Sequence, residues 1–148
     1  MLSNSFIYVS CYEYPCSKAE LSFRLIGFTD AESDTIIMRR FEKNNTAIKD
    51  SFVFSPANPI RFTRFADTLV MTAYTSAALM QSDYDYQLIF PVAGRIISIT
   101  EFREEQSYRK KRDHFSSTKE GCVNIVKECK IDGVWSGVSF PNIVYLKK

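Results

Sequence analysis

Nucleophilic catalysis needs a serine or cysteine within hydrogen-bond reach of a base, and the chain has one histidine, His114. With Arg112 and Asp113 beside it, His114 reads as a solvated residue of a charged stretch. Glycoside hydrolysis needs two carboxyl groups facing each other across a bond. The acids that strand ends could gather for it are Glu101, Glu104, Glu105, Asp83 and Asp85. Asp83 and Asp85, with Asp30 or Glu32, also offer the oxygen ligands that calcium takes, but without EF-hand spacing, so solvated turns are the plainer reading. The five glycines are never grouped, which leaves no loop to cradle a phosphate. No catalytic residue, metal ligand or cofactor site is therefore assigned.

Four cysteines, Cys11, Cys16, Cys122 and Cys129, permit three complete pairings. If 122–129 is one extended strand, its ends lie about 23 Å apart at roughly 3.3 Å per residue, far beyond disulfide reach. If a bridge exists, Cys16 with Cys122 is the expected pair, and Cys129 is then a buried thiol. The C-x6-C spacing with a single histidine is wrong for zinc.

The densest positive run is Tyr108-Arg109-Lys110-Lys111-Arg112. It could meet a phosphate-rich surface or a polysaccharide, with Tyr108 and Phe115 as stacking platforms. Glu101, Glu104, Glu105 and Asp113 lie close by in sequence and dilute its field, which favours a solvated loop. A net charge of +2 over the whole chain is too small to imply nucleic acid.

The elements that must position these residues follow from periodicity. Leu21, Phe23 and Leu25 alternate with Ser22 and Arg24, the signature of a strand with one buried and one wet face. The same reading gives strands near 19–27, 35–42, 51–54, 60–63, 67–74, 83–90, 95–102, 122–131, 134–138 and 143–146, with a helical turn near 77–80. Thr29 to Asp34 supplies a break, Lys43-Asn44-Asn45-Thr46 a polar tip, and Asp132-Gly133 the strongest hairpin signal. Residues 101–119 change character: polar, of both charges, without an apolar stripe. A long exposed loop or strand extension is preferred there, and a short helix is the alternative. At 148 residues, with 45% hydrophobic and 24% charged residues, one domain with a real core is expected. Twelve Phe and eight Tyr against one Trp lean toward strands. The expectation is a mainly β chain: an N-terminal segment over 1–18, then one antiparallel β-sandwich over 19–148 of about 7–9 strands.

Phe6-Ile7-Tyr8-Val9-Ser10-Cys11 resembles the end of a bacterial lipoprotein signal, whose cysteine is cleaved and lipidated. No Lys or Arg precedes it, and it is shorter than the roughly 7–15 apolar residues of an export signal. An in-frame leader upstream of Met1 is the expected explanation. LIGFTDAESDTIIMRRFEK, DYDYQLIFPVAGRIISITEF and the ending CVNIVKECKIDG…NIVYLKK are similar to a set of exported lipoproteins of the Bacteroidetes. The resemblance implies an immunoglobulin-like sandwich, a lipid on Cys11, a closing two-strand hairpin and an outer-membrane or periplasmic location. It also implies O-glycosylation at Asp followed by Thr or Ser and an aliphatic residue, which Asp34-Thr35-Ile36 and Asp67-Thr68-Leu69 match. Tyr86 resembles the tyrosine corner of such sandwiches, whose phenol ties down a loop between sheets. The function expected is that of a non-enzymatic cell-envelope lipoprotein, an accessory or binding module for an envelope protein or polysaccharide. A soluble inhibitor or immunity protein that contacts its partner through 101–119 is the alternative, and a carbohydrate-active enzyme ranks below both.

Overall fold

A computed structural model describes the backbone of residues 18–111 and 119–148, and the side chains among these outside 107–121. Eleven strands run through the described residues: β1 Glu20–Ile26, β2 Ile36–Glu42, β3 Ile48–Phe54, β4 Arg61–Phe65, β5 Thr68–Ala73, β6 Met80–Gln81, β7 Tyr84–Phe90, β8 Arg95–Lys111, β9 Lys119–Ile131, β10 Val134–Gly137 and β11 Ile143–Lys147. They form two packed sheets. One has the order β11-β1-β5-β4, with β6 continuing beside β1, and the other has the order β10-β9-β8-β7-β2-β3.

The alternation in the sequence builds the interior between them. Leu21, Phe23 and Leu25 of β1, Leu69 and Met71 of β5, and Val144 and Leu146 of β11 face Ile36, Met38, Tyr86, Leu88, Phe90, Ile97 and Ile99 of the other sheet, all buried. Removing these side chains from water is the main stabilising term, at about 1.5–3 kcal/mol for each fully buried Leu, Ile, Phe or Met. Phe28 and Phe90 meet in this core with ring centroids 4.6 Å apart.

Several local expectations change. The sandwich has one parallel pair, because β11 returns from the opposite sheet to lie beside β1, with Phe23 opposite Val144 and Leu25 opposite Leu146. The break at Thr29 to Asp34 contains a helical turn, α1 Asp30–Ser33, held by a capping box: Thr29 accepts from the Glu32 amide and Glu32 from the Thr29 amide. The turn placed at 77–80 is a 3-10 turn at Ser76–Ala78, and Met80 already belongs to β6. β3 starts three residues before the apolar run, at Ile48, because pairing with β2 extends it through Lys49 and Asp50. Asp132-Gly133 turns the β9–β10 hairpin with positive φ at both residues, 50° and 81°, as a type I′ turn requires.

Of the loop, strand extension and short helix expected for 101–119, residues 101–111 and 119 take the strand extension. They pair rung by rung from Glu104 opposite Val126 to Lys111 opposite Lys119. Cross-strand hydrogen bonds settle the backbone here, and a polar strand needs no buried stripe when its pairing partner is supplied. Residues 112–118 lie outside the described residues.

Candidate functional site

The β8–β9 pair is the feature that sets this sandwich apart. β7 pairs with β8 only over Arg95 to Ile99, and β10 pairs with β9 only over Glu128 to Ile131. Beyond those points, Glu104 to Lys111 and Val126 to Lys119 pair only with each other. The result is a two-stranded arm of seven steps, about 23 Å long at about 3.3 Å per step.

The arm leaves the sheet at an irregularity. The register shifts twice between Thr100 and Glu104, and Glu101 adopts φ +52°, a left-handed backbone in the middle of a strand. Such a bulge increases twist and redirects side chains. Here it sends Phe102 into the core, edge-on to Tyr86 at 6.5 Å. Glu101 is placed to meet Lys130 at 2.5 Å. Arg103 pairs with Glu128, and Lys127 reaches Glu105 at 3.7 Å. Trp135 of β10 carries both cations: the Arg103 guanidinium lies 3.7 Å from the ring centroid and the Lys130 ammonium 5.3 Å.

Each of these exposed pairs is worth at most about 1 kcal/mol. Their importance lies in where they place charge. Three of the acids near the bulge have a cationic neighbour at the arm's base. The register puts Arg109, Lys110, Lys111 and Lys119 together in the last rungs, with Glu120 as the single carboxylate among them. Arg109 is four residues from Glu105, about 13 Å along the strand. That exceeds the Debye length of about 8 Å at physiological salt. Along the strand Glu101, Glu104 and Glu105 are therefore set apart from the basic run, Glu120 is the residue opposite Lys110, and Asp113 lies outside the described residues. At the arm's base the Val126 amide donates to Asn142 Oδ1 at 3.0 Å, and farther along Cys122 is disulfide-bonded.

A second feature is a cleft of about 520 Å³ at the open side of the sandwich, between α1, β4 and the β3–β4 connection. Ile60, Phe62 and Leu69 contribute apolar lining, and Asp34, Arg61 and Thr63 contribute polar groups. Its hydroxyl groups are committed locally. Ser33 Oγ donates to the Asp30 carbonyl at 2.8 Å, Thr63 to Thr72 at 3.2 Å, and Thr72 to the Arg61 carbonyl at 3.3 Å. A hydroxyl that donates to a carbonyl or another hydroxyl has no base to activate it.

The remaining sequence candidates are scattered. Asp83 pairs with Lys18 at 2.6 Å, whereas Asp85 stands on the outer face of β7. Asp30 holds Arg64 at 2.8 Å, and the buried Glu32 meets Lys148 at 2.5 Å. The Lys148 ammonium, with the Thr29 amide, keeps the Glu32 carboxyl below its ordinary range. Among the described residues no three His, Cys, Asp or Glu side chains gather closely enough to hold a metal ion. Cys129 is a free, buried thiol whose burial pushes its pKa up to about 11. Thr35 and Thr68 are half-buried, and Thr68 Oγ1 donates to Asp67 at 3.2 Å. Tyr108, Arg109, Lys110 and Lys111 lie in the arm, whereas Cys11, Cys16, Arg112 and His114 lie outside the described residues. Tyr86 makes the tie that the sequence suggests: its buried phenol oxygen accepts from the Gln81 amide at 2.7 Å, where the chain crosses from β6 to β7. Trp135 is not singled out by the sequence, because both of its cations come from other strands.

No helix among the described residues is long and apolar enough to cross a membrane. No family model matches the chain, and no curated protein or solved structure matches it either.

Proposed function

We propose that the chain is a non-enzymatic binding module of the cell envelope, held there by a lipid on Cys11, that engages an acidic partner through the distal end of the β8–β9 arm. The observation that carries the reading is the separation of charge along the arm. The base is laced by opposite-charge pairs, and Arg109, Lys110, Lys111 and Lys119 share the far rungs. A cluster of one sign raises the local concentration of the opposite sign and speeds encounter. An acidic envelope protein or an anionic polysaccharide is the chemistry such a cluster recognises. The disulfide at Cys122 supports an oxidising compartment, since such bonds persist chiefly outside the cytosol. The Ser10-Cys11 patch and the likeness to exported lipoproteins, with their immunoglobulin-like sandwiches, support the envelope.

Dextran sulfate resin serves as a polyanion probe. Wild-type protein is retained and released by salt, and the triple variant Arg109→Ser, Lys110→Ser, Lys111→Ser elutes at clearly lower salt with an unchanged circular dichroism spectrum. Equal retention of the two proteins would remove the arm from the contact surface. The anchor is tested separately, by globomycin-sensitive lipid labelling of a form carrying an intact leader. Unlabelled protein that still binds through the arm would favour a soluble inhibitor-type protein instead.

A further inference from the structure

The outer face of the six-stranded sheet breaks the rule that outward positions of an antiparallel sandwich are polar. Register partners on antiparallel strands point to the same side of the sheet. Val53 is opposite Ile37, Ile37 opposite Ile89, and Ile89 opposite Ile96. All four face outward, because their neighbours Phe54, Ile36, Met38, Leu88, Phe90 and Ile97 are buried in the core. The result is an unbroken apolar row across four strands, with Val53 and Ile96 each 53% exposed at its ends. The next row holds Arg39 opposite Gln87 and Gln87 opposite Ser98, and the row after it sets Phe41 opposite Asp85.

Arg39 and Asp85 are diagonal neighbours on this face, about 7–8 Å apart. Neither has an ion pair among the described residues. Three other arginines of this sheet show the contrast: Arg40 pairs with Asp50, Arg95 with Asp132, and Arg103 with Glu128.

We infer that this face is a twofold contact between two copies of the chain. An isologous interface sets one patch against itself, so a patch that is to satisfy its own charges must carry both signs. An apolar row flanked by one unpaired cation and one unpaired anion meets that requirement: Arg39 of each copy meets Asp85 of the other while the isoleucine rows pack. An acidic or a basic foreign partner would neutralise one of the two charges and oppose the other. A net charge of +2 per copy offers little resistance to association. Four strands about 4.8 Å apart, with three outward positions about 6.7 Å apart on each, cover a footprint of about 400 Å² per copy. About 800 Å² in all lies below the standard interface and in the range of weak, transient contacts.

Sedimentation equilibrium on the full chain, from about 1 µM to about 1 mM, tests this. The weight-average mass rises from that of the 17.1 kDa monomer toward twice that value. Ile37→Lys, an outward position whose replacement leaves the core intact, abolishes the rise with an unchanged circular dichroism spectrum. Arg39→Asp weakens association about tenfold or more, and adding Asp85→Arg to it restores association. A mass that stays monomeric throughout overturns the inference. So does self-association that survives Ile37→Lys, or a reversed pair that associates no better than Arg39→Asp alone.

Discussion

Replacing Tyr86 by Phe removes one oxygen from the place where the chain crosses between sheets. The ring remains, and with it the edge-on contact to Phe102 and the packing of a residue only 2% exposed. What is lost is the acceptor for the Gln81 amide, 2.7 Å away in a partly buried site next to the buried Ser82. A buried donor left without a partner costs about 1–3 kcal/mol. For a domain of this size that lowers Tm by about 2–4 °C per kcal/mol. Urea unfolding should show the same loss as a lower midpoint at unchanged slope. Tyr84→Phe is the control: its hydroxyl accepts only a 3.3 Å bond from the exposed Lys49, and the expected change is within about 0.5 kcal/mol. A pH series adds an independent signature. Burial raises the Tyr86 pKa above its ordinary value of 10, against the opposing pull of the Gln81 amide and Arg40. The neutral phenol is therefore favoured in the folded state. Its contribution is complete below the unfolded pKa and lost as pH rises through the folded one, so part of the wild type's alkaline destabilisation should be missing from Tyr86→Phe. A stability loss below about 0.5 kcal/mol, with superimposable alkaline limbs, would refute the tie as a structural device.

Three further outcomes follow from local geometry. Glu32→Gln should destabilise the protein at neutral pH and converge with wild type in acid: the Lys148 and Thr29 contacts hold the Glu32 pKa below its ordinary 4.5, so their stabilisation is present above that value and lost as pH falls through the lower folded pKa; parallel stability curves down to acid unfolding would count against this. Cys129, with its pKa near 11 and no exposure, should resist iodoacetamide at pH 8 in the native protein and react on unfolding in urea, as read by peptide mass spectrometry at that residue. Gly27→Ala should cost about 1–2 kcal/mol from its φ of +80° alone, because the added methyl would meet nothing closer than Lys148 Cβ at 3.8 Å; a neutral result in urea titration would show that the turn relaxes freely.

Side-chain alternation made much of this fold legible before any coordinates. Leu21, Phe23 and Leu25 set the inner face of β1, and Ile97 and Ile99 that of β8, because a period of two leaves no other arrangement with one side dry. Asp132-Gly133 fixed its hairpin, since few residue pairs accept two positive φ values in succession. The capping box of α1 stands in the sequence as Thr29-x-x-Glu32, but four residues carry no apolar period to mark a helix.

Alternation says which face a residue takes, but not which strand lies beside it. The parallel pairing of β1 with β11 joins residues about 120 positions apart, and no local pattern encodes it. The same holds for both proposed contact surfaces. Val53, Ile37, Ile89 and Ile96 become a row only through three registers between separate strands. In sequence the acids and bases of 101–119 are interleaved. Pairing with β9 hands Glu101 and Glu105 their own lysines and sets Arg109, Lys110 and Lys111 several rungs farther along the arm. Electrostatic and hydrophobic patches depend on distance in space. Composition and period settled the strands and the core, and register between distant strands decided which charges and which apolar side chains the surface presents together.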